Sequence, residues 1–194
     1  YPLIDGVVNG CPSHLLEPFA RNFITYSEDF SNAAWGATDV SVLSNDSVSP
    51  DGTFNADKLT FTGDGNLTES FISIASGSAS TYTLSFYLKG TIGETLNSYM
   101  DTVAGDYNFN QTNITLNGDW QRVSYSINTS ANNVGINVVI RKQSSDTVNT
   151  VYIFGAQLEE NSYSTSYIPT NGSSVTRSAE IANGSGDAST FNDS

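Results

Sequence analysis

The stretch TYTLSFYLKG, residues 81–90, alternates strictly: Tyr82, Leu84, Phe86 and Leu88 share one face of an extended chain, and Thr83, Ser85, Tyr87 and Lys89 share the other. The same period of two recurs in FITYS (23–27), TDVSVLS (38–44), NADKLTFT (55–62), LTESFISI (67–74), TLNSYMDTV (95–103), WQRVSYSIN (120–128), VGINVVIRK (134–142) and VYIFGAQLE (151–159). No window of a dozen residues carries an apolar stripe at helical spacing. Turn chemistry separates the segments: SPDGT (49–53), TGDGN (62–66), ASGSAS (75–80), LNGDW (116–120) and SANN (130–133). Short strands so punctuated predict an all-β protein, a two-sheet antiparallel jelly-roll sandwich, and exclude a parallel α/β fold.

A chain of 194 residues is long enough to bury a core of its own. With one cysteine, Cys11, it has no intrachain disulfide, so packing alone must hold it. Seven Lys and Arg against twenty Asp and Glu leave a formal charge of −13, which repels nucleic acid and anionic membranes. No apolar run approaches the roughly 18 residues needed to cross a bilayer, so no membrane insertion is expected. The ends differ from the middle. Residues 1–22 carry Pro2, Pro12 and Pro18 without alternation and read as an N-terminal arm; 23–168 form the sandwich; 169–194, rich in Gly, Ser and Asn, read as a linker or tail.

Enzyme chemistry finds little support. His14 stands beside Cys11 with no third group to complete a nucleophilic or metal set, and the adjacent carboxylates Glu28–Asp29 and Glu159–Glu160 read as turn and capping residues, not as a hydrolase pair. No nucleophile elbow, zincin or P-loop pattern occurs. Sugar binding instead needs an aromatic face for the apolar side of a pyranose, flanked by planar polar groups. Tyr87, Lys89, Asn137 and Arg141 meet that need if strands 81–90 and 134–142 lie in one sheet. Tyr99, opposite Leu96 and Met100 on its strand, extends the row with Gln143. Oxygen donors for a hard cation occur in TGDGN, in SNDS (44–47) and around Asp29, none at EF-hand spacing.

Five segments occur in a telling order: HLLEPFARNFITYSEDFSNAAW (14–35), SPDGTFNADKLTFT (49–62), TYTLSFYLKG (81–90), WQRVSYSI (120–127) and VYIFGAQLEENSYSTSYIPTNGSSVTR (151–177). Together they resemble a β-sandwich module of bacteriophage tail and virion proteins, in which YSEDFSNxxW, SPDGTxNADKL and GAQLExGSYxTSYIPT recur in that order. The resemblance implies a jelly roll similar to carbohydrate-binding modules and a non-catalytic role in host-surface polysaccharide adhesion, on a virion appendage or outside the cell. The alternative it implies is a ligand-free structural domain of a fibre, with a homotrimer or neighbouring virion proteins as partners. It further implies a Ca²⁺ near Glu28 and Asp29, although Phe154–Gly155 here follow Tyr152–Ile153 where related modules place acidic residues. Tyr163 and Tyr167 are expected to latch the final segment back along the sandwich.

Overall fold

A computed structural model describes residues 16–180 and, before them, the short paired strands β1 (Leu3–Ile4) and β2 (Val7–Val8). The other elements in chain order are β3 (Ala20–Asn22), β4 (Trp35–Ser47), β5 (Ala56–Ser73), β6 (Thr81–Gly90), β7 (Thr95–Val103), β8 (Phe109–Thr115), β9 (Gln121–Asn128), β10 (Gly135–Lys142), β11 (Thr150–Glu159) and β12 (Val175–Arg177). All strand pairs are antiparallel, and the described residues contain no helix.

The strand order β8-β7-β10-β5-β11-β6-β9, with β4 beside β5, becomes a jelly-roll sandwich because β5 serves two layers. Its C-terminal half, Gly65–Ser73, pairs with β10 and its N-terminal half, Asp57–Thr60, with β11. The first layer is thus β8-β7-β10-β5 and the second β5-β11-β6-β9, with β4 following β5 through both. The expected turn TGDGN does not reverse the chain. Thr38 faces Asn66 but Val40 already faces Phe61, so the extra residues bulge out and the strand runs on. Gly65 is required there: a Cβ would lie 2.5 Å from the Asp39 carbonyl oxygen, and Asp39 itself takes φ 51°.

Alternation fills the space between the layers as the sequence predicts. Leu84, Phe86, Leu88 and Ile153 of the second layer meet Leu96, Met100, Ile136, Val138 and Ile140 of the first, all buried, while Val123 is only partly covered. At the closed side the Ser98 and Tyr125 hydroxyls bond at 2.8 Å across the layers, and Asn110 Nδ2 donates to the Ser126 carbonyl at 2.6 Å. At the opposite side the bend of β5 leaves the C-terminal half of β11 paired with β6 on one edge and open on the other. Residues 22–30 fill that gap and bury Ile24 and Phe30. FITYS is therefore not the expected strand: Phe23 N donates to Leu158 O, Ala156 N donates to Ser27 O, and Asn22 interrupts the ladder by bonding Ala156 O and Ile168 O through its side chain.

The two ends of the described chain meet. β12 pairs with β3, joining the arm to the segment read as a linker, and the Arg177 guanidinium forms an ion pair with Glu17. Between these points the segment after β11 lies as a strap across the outer face of the second layer. Buried outward-pointing residues of β11 hold it: Glu159 accepts from Thr165 N (3.0 Å) and Oγ1, and Gln157 Oε1 accepts from Ile168 N at 2.6 Å. Arg122 donates to Thr165 O at 2.7 Å.

Candidate functional site

Tyr99, Asn137 and Arg141 come together on the outer face of the first layer, because β7 and β10 are neighbours in register, Val139 opposite Tyr99 and Arg141 opposite Asn97. The Arg141 guanidinium lies over the Tyr99 ring, 4.6 Å from its centroid, and Phe109 of β8 flanks the same ring at 5.3 Å. Phe109 is 47% exposed, so the strip has an open aromatic surface. Burial, then the nearby Asp101 charge, push the Tyr99 phenol up, against the opposing pull of Arg141. The hydroxyl is therefore neutral and able to donate near neutral pH.

A row of planar polar groups crosses the strip. Arg141 Nε donates to Asn97 Oδ1 (2.6 Å) and Nη2 to Gln111 Oε1 (2.8 Å). Gln111 passes a bond on to Asn113 at 3.1 Å, and Asn97 Nδ2 donates to Gln143 Oε1 (3.0 Å) and Asp146 Oδ2 (2.9 Å). Each amide is thus fixed in orientation, and the guanidinium is held flat. Where the row ends, Arg141 and Gln143 join Asp64 and Asn66 around a recess of about 280 Å³. At the other end Asp101 Oδ1 is buried without a hydrogen-bond partner among the described residues.

Tyr87 and Lys89 do not belong to this face. β6 lies in the second layer, so their side chains point away from Asn137 and Arg141 through the thickness of the sandwich. Tyr87 is moreover covered, with Arg122 over its ring at 5.5 Å and Phe154 beside it at 6.2 Å. A Cβ at Gly155, which has φ +66°, would stand 3.3 Å from Tyr87 and 3.4 Å from Tyr167, so the strap closes directly over this point. The expected single groove through Tyr87, Lys89, Asn137 and Arg141 does not exist. Asn137 has a structural duty as well: its Oδ1 accepts from Phe71 N at 2.8 Å.

Gln111 and Phe109 escaped the sequence reading because FNQTNIT has no apolar alternation. As an edge strand β8 buries only Ile114, which leaves no periodic signal to find. Asn97, by contrast, shares Tyr99's side of β7 and was open to the same alternation argument.

Glu28 and Asp29 line a recess of about 310 Å³ with Asn45, Asn55 and Asp57. Glu28 accepts from Tyr167 Oη and Asn55 Nδ2, Asp29 from Ser31 Oγ and Asn32 Nδ2, and Asp57 from the Asn45 and Phe30 amides. Every oxygen of the three carboxylates thus has a protein donor, and no three metal-binding side chains converge among the described residues. These residues do not fit a carboxylate cage for calcium. Glu28 anchors the strap through Tyr167, while Asp29 and Asp57 tie down the loop around Phe30 and the end of β4. Of the two expected latches, Tyr167 is one and Tyr163 is not, being 56% exposed. Cys11 and His14 lie outside the described residues.

No protein-family model and no curated protein matches the sequence. Among solved structures the chain is similar to the enzymatically active domain of bacteriophage CBA120 tailspike protein 4, at 16% identity and TM-score 0.56, over 71% of this chain and 21% of that one. This chain therefore spans about a fifth of the tailspike domain's length. It is also similar to a cyclase from Fischerella sp. TAU, at 12% identity and TM-score 0.52, covering 75% of this chain and 100% of the other. A carbohydrate-binding module, TmCBM61, solved in complex with β-1,4-galactotriose, aligns at 14% identity and TM-score 0.49 over 72% and 99% of the two chains. At such identities the likeness is one of fold.

Proposed function

We propose that the protein is a non-catalytic glycan-binding module whose site is the outer face of the first layer. The observation that carries this reading is the fixed row Gln111–Arg141–Asn97–Gln143 crossing the Tyr99–Phe109 strip. Aromatic rings take the C–H face of a pyranose, the flat Arg141 guanidinium donates to its hydroxyls, and the part-exposed Gln111 and Gln143 amides donate or accept. All are oriented by Asn97, which is 1% exposed and has its own donors spent. Preorganisation matters because side chains already immobilised lose little entropy when the sugar arrives. A neutral polysaccharide suits it better than a sulfated one, since the −13 charge of the chain repels anions over long range. The bacteriophage motifs support a setting on a virion appendage, with host-surface polysaccharide as the partner.

Binding of the full chain to a glycan array, followed by calorimetry on the hits, tests this. Phe109→Ala and Tyr99→Ala are each expected to weaken binding about five- to thirtyfold, the equivalent of about 1–2 kcal/mol of stacking. Tyr87→Ala is expected to leave affinity unchanged. A folded protein that binds no neutral or acidic glycan would sink the proposal and leave the ligand-free fibre domain.

A further inference from the structure

A second recess, of about 410 Å³, opens at the end of the sandwich where residues 21–25 pass beneath the last turn of β5. Arg21, Phe23, Thr25, Glu69, Phe71 and Ile72 line it, and none of them belongs to the Tyr99–Arg141 row. Glu69 is its most unusual member. The side chain is 5% exposed; Oε1 accepts from Thr25 N at 3.2 Å and Thr25 Oγ1 at 3.0 Å, while Oε2 has no hydrogen-bond partner among the described residues. A buried carboxyl oxygen left without a partner is rare in folded proteins and calls for an explanation, and a ligand group that completes the bonding is one.

The surroundings specify what kind of ligand. A β-bulge inserts one residue between Glu69, opposite Val138, and Ile72, opposite Ile136, and Phe71 sits on it with φ 55°. Bulky side chains seldom adopt that conformation, and here it accompanies a ring 54% exposed at the cleft. Across from it Arg21, held by Ser174 Oγ at 2.6 Å and stacked over Phe23 at 4.7 Å, brings a fixed guanidinium. An apolar ring face, a cation and a carboxyl in one cleft match a hydroxylated ring, and they disfavour a phosphate or sulfate, which Glu69 would repel.

We propose that this cleft is a second saccharide site, taking the terminal pyranose of a glycan, with a sugar hydroxyl or acetamido N–H on Glu69 Oε2 and the ring against Phe71. It borders the layer face at one point, where Phe71 N donates to Asn137 Oδ1, and shares no lining residue with the Tyr99–Arg141 row, so a chain could enter with its end in the cleft while a different glycan, or a later segment, occupies the row.

Nuclear magnetic resonance titration of the full chain with glucose, galactose, N-acetylglucosamine and their disaccharides tests it, reading backbone amides at probe concentrations of about 50 mM, the range suited to weak monosaccharide binding. Shifts are expected at Thr25, Phe71 and Ile72 for at least one probe. Phe71→Ala is expected to weaken them about tenfold, and Glu69→Gln, which keeps the oxygen facing Thr25, by a similar factor; Tyr99→Ala should not change them. Shifts at the cleft alone would leave this site standing while removing the layer face. Shifts confined to Tyr99, Gln111 and Arg141, shifts at the cleft that survive Phe71→Ala, or no shift at those three cleft amides with any probe would each overturn it.

Discussion

Tyr167 and Tyr163 lie four residues apart in the same strap, and removing a single hydroxyl from each should have different consequences. The Tyr167 hydroxyl donates to Glu28 Oε1 at 3.0 Å and shares a 2.6 Å bond with Ser27 Oγ, and burial, ahead of the Glu28 charge, pushes this phenol far up. Tyr167→Phe deletes both bonds. Ser27 keeps its bonds to Thr170, and half-buried Glu28 can turn to water, so the loss is about 1–2 kcal/mol and not the full cost of two orphaned groups. For a chain of this size that lowers Tm by about 3–6 °C. Tyr167→Ala also removes the ring that meets Phe154 edge-on at 5.3 Å and should cost about 3–5 kcal/mol, enough to free the strap. Tyr163→Phe should stay within about 0.5 kcal/mol of the parent because its side chain is 56% exposed. Scanning calorimetry gives the stabilities, and hydrogen exchange at Ile168 N, bonded to Gln157, reports whether the strap has lifted. Equal melting temperatures for Tyr167→Phe and Tyr163→Phe would refute the latch.

Stability should peak at mildly acid pH. Burial pushes the Asp57 and Glu69 carboxyls up, so the stability they contribute is full below their ordinary values and lost as pH rises through the raised ones; hydrogen bonding from Ser49 first, and from Thr53, pulls Asp51 down from 3.8 to about 2, so its contribution is present above 3.8 and lost as pH falls towards 2. Melts across pH should therefore show stability falling as pH rises above the ordinary carboxylate values, less steeply in Glu69→Gln, and a maximum at about pH 7 or above would contradict the assignment. Calcium at millimolar level should leave Tm within about 1 °C; an ion held at a hundred times its Kd would add about 2.7 kcal/mol, and a rise of that size abolished by Glu28→Gln would restore the cation site.

Much of the fold was legible because strands buried against a partner layer must alternate. β6 and β7 coincide with the expected segments, and β9, β10 and β11 lie within a residue of them. What alternation cannot say is which strands are neighbours. Tyr87 and Arg141 each point outward from a correctly placed strand, yet β6 and β10 end in opposite layers, because β5 bends between them at a glycine whose surroundings depend on β4. The Tyr99–Arg141 pairing survives because β7 and β10 are adjacent. Bulges are equally invisible: TGDGN carries turn chemistry, and only the continued pairing of β4 across it shows that the chain does not turn back.

Once the layers are fixed, the polar residues at outward positions tell the two faces apart. On β11 Gln157 and Glu159 are fully buried and spend their side chains on backbone and hydroxyl groups of the strap, Ile168 N, Thr165 N and Thr165 Oγ1. On β7, β8 and β10 the polar side chains Asn97, Gln111 and Arg141 bond side chains alone, one another together with Asn113 and, in the loop after β10, Gln143 and Asp146. A face whose amides bond to backbone is already occupied by its own chain. A face whose amides and guanidinium are locked together beside a half-exposed aromatic strip keeps its remaining donors and acceptors for something from outside, and that difference in hydrogen-bond destination, more than any count of exposed tyrosines, is why the first layer carries the binding reading and the second does not.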